Sequence, residues 1–352
     1  MSLLEILDKA LKKEASDVFL IAGLPVTYKC NGTQERDASD PLFPDTIAPL
    51  IEEIYAITGR PKTNLDAGLD DDFSFAVSHL GRFRVNVFRQ RGSLARVIRI
   101  IKFGLPDPEK LGIPKSILSF ADNKKGLVLI TGSAGSGKST TLACMIDRIN
   151  KRTPCHIITM EDPIEYIHRH DKAIVTQREV YVDTPGYLES LKSALRESPD
   201  VILFGEMRDY DTISAAITAR ETGVLLFSTL HTTSAANTVN RIIDAFPANQ
   251  QQQVRIQLPQ LLKGIICQQL VPLKDGGLAP VFEVMKNTTA IQTCIREGTI
   301  HLIPGEMQKG AADGMYTMDQ SLLRMYRQGL ITRDTALLYC SEYSRMEERL
   351  DR

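Results

Sequence analysis

Apolar residues at the start of the chain recur at helical spacing, Leu3, Leu4, Leu7, Ala10 and Leu11, and predict a short amphipathic helix. The run Asp17-Val18-Phe19-Leu20-Ile21 then reads as a strand that stops at the turn Gly23-Leu24-Pro25. A second β-rich stretch runs from Phe73 to Ile101, and the turns His79-Leu80-Gly81 and Gln90-Arg91-Gly92 divide it into paired strands. These pieces predict a small α+β domain over 1–102. Three prolines and two glycines follow in Phe103-Gly104-Leu105-Pro106-Asp107-Pro108 and Gly112-Ile113-Pro114, so a linker is expected over 103–115. Beyond it, continuous apolar runs alternate with longer helical patterns: Leu127 to Ile130, Ile157 to Met160, Val201 to Phe204 and Leu225 to Phe227. Runs without polar alternation suit strands covered on both faces, so 116–289 is expected to be an α/β core with a parallel sheet. From about Leu258 the pattern reads as mostly helical. Amphipathic helices are predicted at Asp319 to Tyr326 and Thr332 to Arg349, in a helical C-terminal region spanning 290–352. Apart from the short run Gln250 to Gln253, no repeat or low-complexity tract stands out.

Composition alters this picture little. Hydrophobic residues make up 43% and charged residues 24% of 352 residues, the range of ordinary globular chains, and the formal net charge is −1. No global field draws such a chain to nucleic acid, so no nucleic-acid partner is expected. Acids interrupt the apolar residues of the first segment, leaving no uncharged run long enough for a signal peptide or a membrane span, and a cytoplasmic location is expected. Six scattered cysteines without a C-x-x-C pair point to free thiols rather than a zinc site or a disulfide framework.

The candidate chemistry begins at Gly132-Ser133-Ala134-Gly135-Ser136-Gly137-Lys138-Ser139, which fits G-x-x-x-x-G-K-[ST] after a strand and before the helix-compatible segment from Thr140 to Ile149. Glycines let successive backbone N–H groups turn inward onto phosphate oxygens, and the helix that follows adds its positive end. In this pattern Lys138 reaches the β- and γ-phosphates of ATP and Ser139 ligates Mg2+.

Ligands of parallel α/β sheets sit beyond the carboxyl ends of the strands, which draws attention to three further sets. These are Glu161-Asp162-Pro163-Ile164-Glu165, Gly205-Glu206-Met207-Arg208-Asp209 and Leu230-His231-Thr232-Thr233. Glu206 is the candidate for Mg2+ and the attacking water, Glu161 the candidate general base, and His231 a candidate γ-phosphate sensor. A lone acid after a strand is often a helix cap or a solvated turn, and for Asp162, Glu165 and Asp209 that reading stands beside the functional one.

Taken together, Gly132 to Thr141, Ile158 to Tyr166, Val201 to Asp209 and Thr229 to Ala235 resemble the Walker A, Asp box, Walker B and His box of the secretion ATPase superfamily, in particular its type IV pilus retraction ATPases. The likeness extends to Ala15-Ser16-Asp17, to Arg82-Phe83-Arg84-Val85-Asn86 and to Gly314 through Leu323, nearly the whole chain. It implies a RecA-like P-loop ATPase domain with a smaller PAS-like N-terminal domain. It also implies a homohexamer with ATP held between the two domains, and a motor that retracts pili through a platform protein at the inner face of the cytoplasmic membrane. Assembly ATPases of the superfamily are longer and carry a four-cysteine zinc module, and this chain has neither feature. Ser16-Asp17-Val18-Phe19-Leu20 and Ser198-Pro199-Asp200 depart from the usual motifs, and Gln292-Thr293-Cys294 stands where retraction ATPases carry Arg-Asn-Leu. The last change alters the charge and shape expected at the coupling segment, and so raises an accessory paralogue, working beside a second motor ATPase, as the alternative.

Between Arg82 and Arg99 lie Arg82, Arg84, Arg89, Arg91, Arg96 and Arg99 with no acid among them. The resemblance implies that Arg82, Arg84 and Arg99 reach the ATP of a neighbouring subunit. Arg89, Arg91 and Arg96 are expected on a solvated strand face. A nucleic-acid translocase and a non-catalytic ring partner are the remaining alternatives. The near-zero net charge argues against the first, and the intact loop with its acids against the second.

Overall fold

The computed structural model describes residues 2–30, 32–101, 104–207, 209–219 and 223–351, and the chain divides into two compact units, Met1–Gly104 and Leu105–Arg352. The expected domain edge at 102–103, and Arg208 of the third motif, lie outside the described residues.

The first unit contains α1 (Leu3–Lys12), β1 (Asp17–Leu20), β2 (Thr27–Cys30), β3 (Thr33–Arg36), α2 (Pro44–Thr58), α3 (Thr63–Asp66), β4 (Asp71–Val77), β5 (Gly81–Gln90) and β6 (Ser93–Ile101). Helix α1 starts where Ser2 and Glu5 cap one another's backbone reciprocally. Its Leu3, Ile6, Leu7 and Ala10 pack with Ile47, Ile51 and Ile54 of α2 in one core with Val18, Val85 and Ile98 of the sheet. The sheet order is β3-β2-β1-β6-β5-β4, with antiparallel pairing throughout.

Alternation along β6 breaks at Arg96, and the expectation of a solvated face fails there. Arg96 is 0% exposed and donates from Nη1 to the carbonyl of Leu50 on α2. Burial pulls the guanidinium below its ordinary value, with Glu53 as the opposing charge. Charge sign along a sequence gives no facing; strand register does.

The second unit contains α4 (Lys115–Leu118), β7 (Gly126–Thr131), α5 (Lys138–Arg152), β8 (His156–Glu161), β9 (Ile174–Glu179), α6 (Tyr187–Ala194), β10 (Val201–Glu206), α7 (Tyr210–Thr218), β11 (Leu225–Leu230), α8 (Ala235–Asp244) and α9 (Ala248–Leu261). It continues with β12 (Leu262–Pro272), β13 (Leu278–Lys286), α10 (Thr289–Glu297), α11 (Ile303–Lys309), α12 (Met318–Arg327), α13 (Arg333–Tyr339) and α14 (Tyr343–Leu350). The sheet order is β13-β12-β7-β11-β10-β8-β9, parallel except for the β12–β13 pair. Leu127 and Leu129 of β7 enter the core on one face, Val128 and Ile130 the core on the other, as the continuous apolar run requires.

The mostly helical reading from Leu258 onward is corrected by β12 and β13, which occupy most of 262–286. Helix α9 passes into β12 without an intervening loop; Pro259 and Gly264 flank the change but sit inside the two elements rather than in a turn, and Gln268 and Gln269 interrupt the apolar run. The expected helix over 332–349 is two helices, parted at 340–342. All six cysteines are free, and among the described residues no helix is long and apolar enough to cross a membrane.

Candidate active site

Strand β7 delivers the chain to the glycine-rich loop, whose shape depends on missing side chains. A Cβ on Gly132 would lie 2.2 Å from the carbonyl oxygen of Gln268, and Gly135 and Gly137 hold φ values of +76° and +87°. Ser133, Ala134 and Gly135 are exposed, while Ser136 is buried with a hydroxyl that has no partner among the described residues. An orphaned donor and a cradle closed to any Cβ fit a phosphate group. Lys138, the first residue of α5, folds back to donate to the carbonyls of Gly132 and Ser133 at 2.8 and 2.9 Å. Burial lowers its pKa, and the carboxylates of Glu206 and Glu165 oppose that shift. The Ser139 hydroxyl donates to Glu165 Oε1 at 2.9 Å, and Thr140 shares a 2.9 Å hydrogen bond with the Tyr166 hydroxyl.

Strands β8, β10 and β11 end beside this loop. Glu206, the last residue of β10, stands 3.2 Å from His231 Nε2, just beyond β11. Thr229 braces the same turn by donating to the Gly205 carbonyl at 2.6 Å. A Cβ on Gly205 would lie 2.8 Å from the Tyr187 hydroxyl and 3.0 Å from the Met160 carbonyl oxygen, so a side chain there would displace the tyrosine. Glu161, the last residue of β8, accepts from Thr159 at 2.7 Å and from Gln177 at 3.4 Å. Burial pushes its carboxyl up to about 7, against the pull of those two hydrogen bonds. Lys138, Ser139, Glu161, Glu165, Glu206 and His231 share one cavity of about 560 Å³.

Asp209 caps α7 through the Thr212 N–H at 2.9 Å, which gives it the structural role left open above. Glu165 goes the other way, reaching the hydroxyl of Ser139. Gln268 was not foreseen: its Oε1 accepts from the buried Thr141 hydroxyl at 2.8 Å and its carbonyl walls Gly132. It lies on β12, within the stretch whose apolar pattern predicts helix, so no motif or strand end points to it.

Arg82, Arg84 and Arg99 lie on β5 and β6 of the other unit, where Arg84 and Arg99 are register partners. Arg84 binds Asp72 with two contacts of 2.9 and 2.6 Å, and Arg99 binds Asp17 at 3.1 Å. At the C-terminal motif, Cys294 is buried within α10, while Thr293 and Arg296 are exposed and Gln292 is half-buried. Only Gln292 and Thr293 therefore change what this helix presents outward.

The model of the family described as Type II/IV secretion system protein matches residues 2–298. The chain belongs to this family. A member named Type IV pilus retractation ATPase PilT, from Pseudomonas aeruginosa, is 43% identical over 336 residues, covering 96% of this chain and 97% of that protein. Type IV pilus ATPase PilU of the same organism is 40% identical, covering 94% of this chain and 86% of its own. Among solved structures, the pilus retraction motor PilT with bound ADP superposes with a TM-score of 0.90 at 43% identity, with 99% of each chain covered. The Legionella pneumophila ATPase DotB follows at 0.82 and 27%, covering 96% of this chain and 95% of that one. In family terms the fold is α/β, a RecA-like P-loop domain with a smaller PAS-like domain and a helical C-terminal region, and the chain is a nucleotide-binding ATPase of this family.

Proposed function

We propose that the chain is a magnesium-dependent motor ATPase that works as a ring of six subunits and drives retraction of type IV pili at the inner face of the cytoplasmic membrane. The observation that carries this reading is the meeting of Lys138, Ser139, Glu206 and His231 in one cavity at the ends of parallel strands. Full-length likeness to a pilus retraction motor supports the choice of pilus over other secretion cargo.

In this reading the backbone N–H groups of 132–137 and the Thr140 region cradle the phosphates of ATP, and the Lys138 ammonium leaves its two carbonyls to meet the transferred phosphoryl group. Ser139 and Glu206 would hold Mg2+ through a hydroxyl and a carboxylate, and a metal held there would supply neutralising charge to the nucleotide's phosphates. Glu206 and His231 orient the attacking water and read the γ-phosphate. Glu161 has a pKa suited to a general base, about 7, while Glu165 is the carboxylate that touches a metal-binding hydroxyl. The base is one of these two. Arg82, Arg84 and Arg99 complete the site across a subunit boundary, exchanging Asp72 and Asp17 for the neighbour's phosphates. The region from Ala290 onward passes the cycle to an inner-membrane platform protein.

A second reading, an accessory motor beside another ATPase, is favoured by the 40% identity to PilU and by Gln292 and Thr293 on α10. One experiment tests both. The gene is deleted, then restored as wild type or as Lys138→Ala, with twitching, surface pili and purified ATPase turnover with and without Mg2+ all measured. A principal motor gives non-twitching, piliated cells that only the wild-type gene rescues. Retained twitching with reduced force selects the accessory reading, and Mg2+-independent turnover or unchanged piliation dynamics sinks both.

A further inference from the structure

Glu283, near the middle of β13, is only 6% exposed, and both of its oxygens are engaged at helix starts. Oε1 accepts from the N–H of Ala235, the first residue of α8, at 2.7 Å. Oε2 accepts from the N–H of Met318, the first residue of α12, at 3.1 Å. Cys267, its register partner on β12, places a thiol 3.7 Å from Oε1 and pairs on its other side with Thr131, the residue before the phosphate-binding loop. No lysine or arginine pairs with Glu283 among the described residues. A buried carboxylate without a cation is costly, and here the positive ends of two ten-residue helices take the cation's place. Burial raises its pKa, while the two N–H groups and the thiol work against that rise.

What this carboxylate joins is informative. Helix α8 begins four residues after His231, and the intervening turn is pinned by the Thr232–Thr238 hydroxyl contact at 2.7 Å. Helix α12 belongs to the C-terminal region, and the residue two before it, Tyr316, exchanges backbone hydrogen bonds with Val284 beside Glu283. A cavity of about 230 Å³ lined by Ser234, Glu283, Met307, Thr317, Asp319 and Arg345 lies between the two helix starts, leaving room for them to shift.

We propose that Glu283 is a positioning residue that holds the His231 turn in place for the nucleotide and, through the same carboxylate, ties that turn to the start of α12. Movement of His231 on gain or loss of the γ-phosphate is then transmitted to the C-terminal helices. The proposal rests on the reading of His231 as the phosphate sensor, and its test separates the two.

The test compares wild type, Glu283→Gln, His231→Ala and the double variant as full-length protein. Glutamine keeps one acceptor but turns an amide N–H2 toward the other N–H, so one tie breaks with little change of volume. Expected results are a roughly tenfold lower kcat for Glu283→Gln with KM near wild type, and little further loss when it is added to His231→Ala. Hydrogen exchange at the start of α12 should respond to ADP or a non-hydrolysable ATP analogue in wild type and not in Glu283→Gln. Should Glu283→Gln unfold the chain, Ala235→Pro removes the α8 N–H at a first-turn position that accepts proline, after a Ser234 already extended at φ −140° and ψ 156°; because Ala235 is fully buried, Ala235→Val, which adds volume there but keeps the N–H, is the control for packing. Ala235→Pro should give the same kcat loss. Multiplying losses in the double variant, or an unchanged kcat with a lowered melting point, overturn the positioning role while leaving His231 as sensor. Full turnover in His231→Ala overturns the sensor and the proposal together.

Discussion

Along β5 and β6, Arg84 is answered by Asp72 and Arg99 by Asp17, each from a neighbouring strand of the same sheet. At the ends of β8, β10 and β11, by contrast, Glu161 and Glu206, the last residues of their strands, and His231, just beyond its own, face a common cavity. The difference follows from strand direction. Antiparallel neighbours bring side chains of one face rung to rung, so a charge tends to meet its partner there. Parallel strands all finish at one edge, so polar residues far apart in sequence converge beyond it whatever lies between them. A charged residue within an antiparallel strand is first a structural question, and one at a parallel strand's end is first a chemical one.

The sharpest test of that contrast is at the loop. Lys138→Ala removes the ammonium that meets the phosphoryl group, and steady-state ATP turnover is expected to fall on the order of 10²–10³-fold with the fold intact by circular dichroism. Unchanged turnover would break the comparison at its chemical end.

Next in size are the two candidate bases. Glu→Gln is nearly isosteric and cannot take a proton, so the true base loses on the order of 10²-fold or more in kcat while nucleotide binding persists. Glu161 adds a signature in pH. Its carboxyl titrates near 7 and must be ionised to accept a proton, so with Glu161 as base kcat falls as pH drops through about 7 and levels off above it. A Glu161→Gln protein with near wild-type turnover and an unaltered acid limb assigns the role to Glu165.

Much of this arrangement was legible in the sequence because motif and strand end coincide: Gly132 to Ser139, Glu206 and His231 were each read from the residue types that follow an apolar run. Gln268 and β12 were harder to see, since the strand continues directly from a helix with no loop between them and only Pro259 and Gly264, each inside an element, hint at the change. Arg96 is a different case: two-residue alternation puts it on the face of Ile98 and Ile100, opposite Arg99, but the sequence does not show that α2 covers that face and buries the guanidinium. Glu165 and Asp209 are both acids shortly after a strand, where a cap or a solvated turn is the common role, and only the contact with Ser139, distant in sequence, separates the first from the second.

Arg96 yields a prediction smaller than the catalytic ones. Its Nε and Nη2 find no hydrogen-bond partner among the described residues, so the buried cation is poorly compensated. Replacing a buried charge by an apolar side chain of similar length is often neutral or stabilising, and Arg96→Met should unfold in denaturant at or above the wild-type midpoint. Arg96→Ala adds a cavity and should lie about 2–4 kcal/mol below Arg96→Met. A large loss in Arg96→Met would mean that the guanidinium is better satisfied than its contacts indicate.

The smallest effect on the fold is expected where the two regions are proposed to meet in the assembled ring. The Arg84–Asp72 pair is partly exposed, and pairs of that kind contribute about 0.2–1 kcal/mol, so Arg84→Ala should barely move the melting curve. Arg99→Ala should cost somewhat more, because Asp17 is buried and, among the described residues, keeps only the Ser16 hydroxyl, 2.8 Å away, as a side-chain hydrogen-bond partner. If both arginines also serve a neighbour's ATP, these mild structural changes come with a large loss of turnover. Mixing an arginine-substituted chain with Lys138→Ala, each inactive alone, then restores activity at interfaces that pair one chain's sound loop with the other's sound arginines. Recovery of part of wild-type turnover in co-assembled rings supports action in trans. Co-assembly without recovery returns Arg84 and Arg99 to the role their ion pairs already explain, that of bracing an antiparallel sheet.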